Sequence, residues 1–208
     1  RFTEVLAHWA KTVTSIEPAT NAMANNQLRN KKHNNVSFVM CEVEKISFKE
    51  KFDFVFCIGV LHHIPDMKEA LQSMAYSLKS GGSIILWVYG REGNGLYLAF
   101  SKVLRLFTTK VSDNCLNKIA GVLLPPLKIY RYLCSKIKKL PMADYFNGYL
   151  AKLGDDELRL IIFDQLNPSI AYYLTQEQIK ELVSSCSLGD IQLYHRHGYS
   201  WSVKAKKL

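Results

Sequence analysis

Apolar positions along the chain follow two spacings that alternate. VTSIEP (13–18) is a short β-rich run ending in an acid and a proline, and ATNAMANNQLRNKK (19–32) has helical composition, with Ala22, Met23 and Leu28 able to share a face. NVSFVMCE (35–42) is a second β-rich run, again ending in an acid. FDFVFCIGV (52–60) is so nearly all apolar that it suits a strand buried on both faces. The next segment, 65–82, reads as a helix capped by Asp66, with Ala70, Leu71, Met74 and Leu78 on one face and Gly81–Gly82 as its stop. SIILWVYG (83–90) returns to the strand pattern. Strand, helix, strand, helix, strand in this order predicts an open α/β sheet with right-handed crossovers.

The end of the chain reads differently. TQEQIKELVSSCSL (175–188) is a helix opened by a capping box, Thr175 with Gln178 three residues on. Two β-rich runs follow, joined by a tight turn at His197–Gly198. They predict an antiparallel hairpin at the sheet edge. In open α/β sheets the ligand lies over the carboxyl ends of the strands. That singles out Glu17, Glu42, the stretch from Cys57 to His63, and the stretch from Tyr89 to Asn94. An acid after the first strand suits a ribose cis-diol, and two carboxylates favour a cationic cofactor over a pyrophosphate, which would want a glycine loop at a helix N-terminus.

Composition narrows the class. The 208 residues are 48% hydrophobic and 22% charged, as in a soluble globular domain of one core, here with an insertion. The longest apolar stretch, IAGVLLPPL, is broken by Pro125 and Pro126 and is too short to span a bilayer. The five cysteines are scattered without a C-x-x-C pair, which predicts reduced thiols and a cytoplasmic location.

FDFVFCIGVLHHIPD followed by LKSGG, with VTSIEP and VSFVMCEVEKISF before them, resembles the class I S-adenosylmethionine-dependent methyltransferases. The resemblance covers residues 1–90 and, in outline, 175–208. It implies a doubly wound, Rossmann-like, mostly parallel sheet with an antiparallel C-terminal hairpin and a helical insertion over 91–163, all in one methyltransferase domain. It implies S-adenosyl-L-methionine as cofactor, with Glu17 and Pro18 at the ribose, Glu42 and Val43 framing the adenine, and Cys57 and Ile58 within the fourth motif also at the cofactor. The family's first strand and glycine-rich loop have no counterpart: RFTEVLAHWAKTVTS reads as the helix after that loop, with Phe2, Val5, Leu6 and Trp9 on one face. The expectation is a chain truncated before or within the first motif. Residues 1–208 alone should then hold the cofactor poorly.

The resemblance places the pair His62–His63 at the turn after the family's fourth strand, beside the cofactor's methyl group. Adjacent histidines diverge on regular structure and no other histidine gives ligand spacing, so no metal site is expected. Two readings stay open: one histidine is a general base for a hydroxyl or amine, or both pack the turn into the Asp66 helix. Tyr89, Arg91 and Asn94 after one strand, and Asp164, Tyr172 and Tyr173 in a polar-aromatic loop with Asn167 and Pro168, are the candidate substrate contacts.

Charge concentrates in the insertion: between 91 and 141 ten basic residues meet only Glu92 and Asp113, carrying eight of the chain's nine net positive charges. Leu96, Phe100, Val103, Leu104 and Phe107 can share one face of a helix there. A lid with a solvated basic face, a site for an anionic substrate, and a surface lying on the inner face of an anionic membrane all fit. No RNA-binding module is visible. The expected activity is methyl transfer to an oxygen or nitrogen of a small molecule, such as a saccharide or lipid-linked intermediate. The alternative is a non-catalytic methyltransferase-like protein that binds a membrane or partner through its basic helices. A nicotinamide-dependent oxidoreductase gives the HH turn no role.

Overall fold

The computed structural model describes residues 2–108, 110–167 and 170–208, and of Leu96, Phe100 and Lys102 only the backbone. The chain opens with helix α1 (Phe2–Trp9), strand β1 (Val13–Ile16), helix α2 (Thr20–Asn30) and strand β2 (Val36–Val39). Strand β3 (Phe52–Ile58), helix α3 (Met67–Ser77) and strand β4 (Leu78–Tyr89) follow, and then four helices: α4 (Gly95–Thr108), α5 (Asp113–Lys136), α6 (Ala143–Gly148) and α7 (Asp155–Leu166). Helix α8 (Gln176–Ser184) leads into β5 (Leu188–Arg196) and β6 (Ser200–Lys207). β1 pairs with β2 in parallel, and the other four strands run in the order β3-β4-β6-β5, with β3–β4 parallel and both contacts of β6 antiparallel.

The core lies where the periodicity places it. Ala70, Leu71, Met74 and Leu78 are all buried, against Ile84, Leu86 and Val88 of β4 and Ile179 and Val183 of α8. Asp66 caps α3 by accepting from the Glu69 amide at 2.8 Å. Both halves of the Thr175–Gln178 capping box are made. The hairpin turns through His197 and Gly198, both at positive φ.

Three expectations change. Helix α3 stops at Ser77, before the glycines, because the chain is already extended at Leu78 and β4 starts there. Strand β3 is not buried on both faces: Val55 and Cys57 face the core, while Phe54 and Phe56 are exposed and touch each other. Of the α1 face, Phe2, Val5 and Trp9 are exposed, and on α2 Met23 is buried but Leu28 is not. Among the described residues β1 has β2 as its only strand neighbour and β3 has β4, so each presents an open edge.

The insertion is helical, as the composition predicts. Leu116, Ala120, Ile162 and Leu166 form one small core between α5 and α7, with Leu104 of α4 against it. Cys134, Ala143, Phe146, Leu150 and Leu158 form another. Helix α5 continues through Pro125 and Pro126. On α4, Val103 and Phe107 point outward while Leu104 faces in; the side chains of Leu96 and Phe100 lie outside the described residues.

Candidate functional site

Parallel pairing delivers the sequence-predicted residues to strand ends. Ile16 lies level with Val39, so Glu17 and Glu42 follow at the same end of the β1–β2 pair. Ile58 lies level with Trp87, which brings the Cys57–His63 stretch beside Tyr89 and the loop after it. β6 is antiparallel to β4 and starts at that end, with Ser200 level with Tyr89.

On the first pair, Glu17 Oε1 accepts from the Ala19 amide at 3.0 Å, which fixes the carboxylate across the Pro18 turn. Its other oxygen has no hydrogen bond among the described residues. Glu42 is exposed and pairs with Lys45 at 2.7 Å. Val43 packs on the main core, and Ser73 of α3 donates to the Glu44 carbonyl at 3.2 Å, which docks the segment after β2 on the four-stranded block. On the second pair, Cys57 is buried and its thiol pushed up to about 11 by that burial, so it is no nucleophile. Ile58 leads to Gly59, whose φ of +79° disfavours a side chain and whose amide donates to the Trp87 carbonyl at 3.0 Å.

The two histidines have opposite surroundings. His62 is wholly buried, with both ring nitrogens unpartnered. Its ring lies 3.9 Å from Tyr89 and 5.9 Å from Trp87, centroid to centroid. Burial first, then the neighbouring His63, pushes its pKa down to about 3, so it stays neutral. His63 is half-buried and its Nδ1 donates to the Ile170 carbonyl at 2.7 Å. A carbonyl only accepts, so Nδ1 carries a proton, and in the neutral ring the lone pair is then on Nε2. The Ile170 contact belongs to a strap over the turn: the Tyr172 amide donates to the His62 carbonyl at 2.9 Å, and Leu174 bridges β4 through Tyr89 and Arg91.

Above this turn the rings collect. Tyr173 stacks on Tyr89 at 5.1 Å, and the Tyr89 hydroxyl accepts from Gln165 Nε2 at 2.9 Å. Tyr97 donates to Gln165 Oε1, and Arg105 donates to the Gln165 carbonyl at 3.0 Å and to the Tyr173 hydroxyl at 3.4 Å. Burial raises the pKa of both Tyr89 and Tyr97, so neither ionises near neutrality. Partial burial pushes the Asp164 carboxyl up, with a smaller pull from the His63 ring the other way. That places it within electrostatic reach of His63.

The substrate candidates divide. Tyr89 and Tyr173 come together with His63, while Asp164 lies exposed on α7. Arg91 is exposed, and the Tyr172 hydroxyl reaches only the Pro65 carbonyl, at 3.4 Å. Asn94 does not face a pocket: it is buried, and its amide donates at 2.7 Å to both the Gly90 and the Tyr199 carbonyls, pinning the loop after β4 to β6. Pro168 lies outside the described residues. Sequence reasoning missed Tyr97, Gln165 and Arg105, which are brought in by packing of α4 on α7. It also missed Glu92, whose carboxylate takes the Gln176 amide at 2.8 Å and the Trp201 indole at 3.0 Å. Burial pushes that carboxyl up, but these donors outweigh it and hold it below the usual range. Among the described residues no group of His, Cys, Asp and Glu could hold a metal ion.

Residues 1–86 match the methyltransferase domain family. A ubiquinone/menaquinone biosynthesis C-methyltransferase of Haemophilus ducreyi is 26% identical over 121 residues, 58% of this chain and 44% of that protein. A tRNA U34 carboxymethyltransferase of Nautilia profundicola is 35% identical over 88 residues, 40% of this chain and 29% of that protein. The chain thus spans at most about half the length of these curated relatives. Among solved structures, a SAM-dependent methyltransferase of Methanosarcina mazei superposes with a TM-score of 0.56 at 16% identity, covering 99% of this chain and 86% of that one. The N-methyltransferase NodS of Bradyrhizobium japonicum, solved with S-adenosyl-L-homocysteine, gives 0.54 at 13% identity, over 99% and 71%. Residues 1–86 are thus similar to the methyltransferase domain family, and the fold of the chain is like that of the solved S-adenosylmethionine-dependent methyltransferases.

Proposed function

We propose that the protein transfers a methyl group from S-adenosyl-L-methionine to an oxygen or nitrogen of a small-molecule acceptor. The carrying observation is the single-tautomer His63, its Nδ1 proton tied to Ile170 and its Nε2 lone pair left over beside Tyr89. The donor set fits the cofactor's chemistry. Glu17, held by the Ala19 amide with one oxygen uncommitted, suits a ribose diol. Pro18 shapes that turn, Glu42 and Val43 suit the adenine, and Gly59 lets the backbone after Cys57 and Ile58 approach closely. When bound, the cofactor supplies an electrophilic methyl on a sulfonium.

The chain's own residues then position and deprotonate. Tyr89 and Tyr173, stacked under the α4–α7 lid, exclude water from the turn. His63 Nε2 takes the acceptor's proton, and the Asp164 carboxylate favours the resulting imidazolium. His62 is too buried and too weakly basic to share this role, and serves as packing. The curated relatives are named for C-methyl transfer and for tRNA carboxymethyl transfer, so the acceptor is not carried over from them. Calorimetric titration with S-adenosylmethionine tests the reading. Glu17→Ala should weaken binding by roughly 1.5–3 kcal/mol, the worth of hydrogen bonds to a charged group. Equal affinity in the variant, measured in a chain extended upstream through the first strand and glycine loop, overturns the ribose assignment. In a turnover assay His63→Ala should lower kcat about 100- to 10,000-fold, with the cofactor affinity kept.

A further inference from the structure

The outer face of α5 is apolar where a solvated helix should be polar. Its inner face is accounted for: Leu116, Ala120 and Cys134 are fully buried and Leu127 packs with them. The opposite face carries Val122, Ile129 and Leu133, spaced seven and four residues apart and so in one line. Val122 is 74% exposed, Ile129 62% and Tyr132, beside them, 63%. Pro125 and Pro126 fill the line between, also exposed. Monomeric soluble proteins rarely leave a contiguous stripe of this kind in water.

Charge frames the stripe. From 114 to 143 the sequence holds six basic residues and no acid. Lys128 is committed to Asp155 and Arg131 to the Leu150 carbonyl, both toward the lid's own helices. Lys118 and Lys136 are exposed at the two ends of the stripe, and Lys138 and Lys139 follow just past the helix. Among the described residues none of these four has an ion pair, and Lys136 leans over the Tyr132 ring at 5.6 Å. No described helix is long and apolar enough to cross a membrane. An amphipathic helix with apolar side chains on one line and lysines at its margins matches a surface that is apolar below and anionic at its boundary.

We infer that the outer face of α5 lies in the interface of an anionic lipid bilayer, with Val122, Ile129 and Leu133 among the upper acyl chains and Lys118, Lys136, Lys138 and Lys139 against lipid phosphates. The helix rests in the membrane plane, its inner face still closing the lid. A nucleic acid would match the lysines but not the apolar line. A second copy of the chain would match the line but bring lysine against lysine.

Sedimentation with vesicles of phosphatidylcholine alone, or mixed with phosphatidylglycerol, tests this at low and moderate salt. The full chain should sediment with the mixed vesicles only, and binding should fall steeply as salt rises. Replacing Lys136, Lys138 and Lys139 together by glutamate should lower partitioning by at least about 100-fold. Ile129→Glu, at a solvent-facing position, should lower it by more than about tenfold while leaving the circular dichroism and Tm as in the wild type. Absence of binding to the mixed vesicles, equal binding to both kinds, or unchanged binding in either variant overturns the inference. So does a concentration-dependent dimer in ultracentrifugation that Ile129→Glu abolishes, since the stripe would then be covered by a second copy.

Discussion

The four-stranded sheet and the β1–β2 pair hold together by different means. The larger sheet buries Ile84, Leu86, Val88, Val203 and Ala205 against Leu71, Met74, Ile179 and Val183, an apolar core of ordinary kind. In residues 2–42 the only buried apolar side chains are Ala7 and Met23. Polar ties replace them. Asn35 donates to the Ala7 and Ala10 carbonyls at 2.8 and 3.0 Å, Asn26 donates to Ser15 at 2.8 Å, and the fully buried Asn30 donates to Asn26. Apolar burial adds up over area, whereas each hydrogen bond nets little and is costly only when broken on one side. The unit that carries Glu17 and Glu42 is therefore well defined in shape but thinly stabilised. A ligand that bridges it to the four-stranded block would stabilise it.

Breaking the larger core should have the greatest effect. Leu86→Ala should cost about 3–5 kcal/mol in a urea melt, whereas Met23→Ala should cost about 2 kcal/mol or less, because its loose surroundings can close over the gap. Equal losses would mean that the two units are packed alike. Next is His62, the buried base of the larger unit. Its folded pKa of about 3 lies below the 6.5 of an unexposed-to-field histidine in the unfolded chain, so the unfolded state binds the proton. Stability should be full above about pH 6.5 and fall toward pH 3, with a slope reaching about 1.4 kcal/mol per pH unit. His62→Phe should remove one proton's worth of that slope, which melts at a series of pH values would measure.

Smaller effects sharpen the contrast from the other side. Asn35→Ala should cost about 1–3 kcal/mol, for the two carbonyls it leaves. Hydrogen exchange should locate the loss in β1 and β2, leaving β4 and β6 as protected as before. Smallest of all, Lys45→Ala breaks the exposed pair with Glu42 and should leave the Tm unmoved. A clear drop would show that the pair organises the segment after β2.

Much of this was legible in the sequence. The helical spacing of Ala70, Leu71 and Met74 marked the α3 face, and the cap signals at Asp66 and Thr175 gave both helix starts. That Glu17, Glu42 and the HH turn follow strand ends was legible because they end apolar runs, and strand ends are where such sheets place ligands. The polar lattice under β1 was not legible, because asparagines in ANNQ and KHNN look like any turn-rich stretch. Asn94 was misread for a related reason: position after a strand says where a side chain starts, not which way it points.

What the sequence determined by itself was local and periodic: element types, their order, the caps, the inward faces of α3 and β4, and the motifs that mark strand ends. These follow from backbone hydrogen bonding and from the two side-chain periods, which act over a few residues. Tertiary structure alone decided which of two adjacent histidines is sealed and which is held by Ile170, since the backbone groups that tie the turn, Ile170 and Tyr172, lie more than 100 residues along the chain and the rings against His62 come from the next strand. It also joined Gln165 to Tyr89 and Tyr97, and left one face of α5 without a cover. Those outcomes depend on what packs opposite, and no spacing along the chain records that.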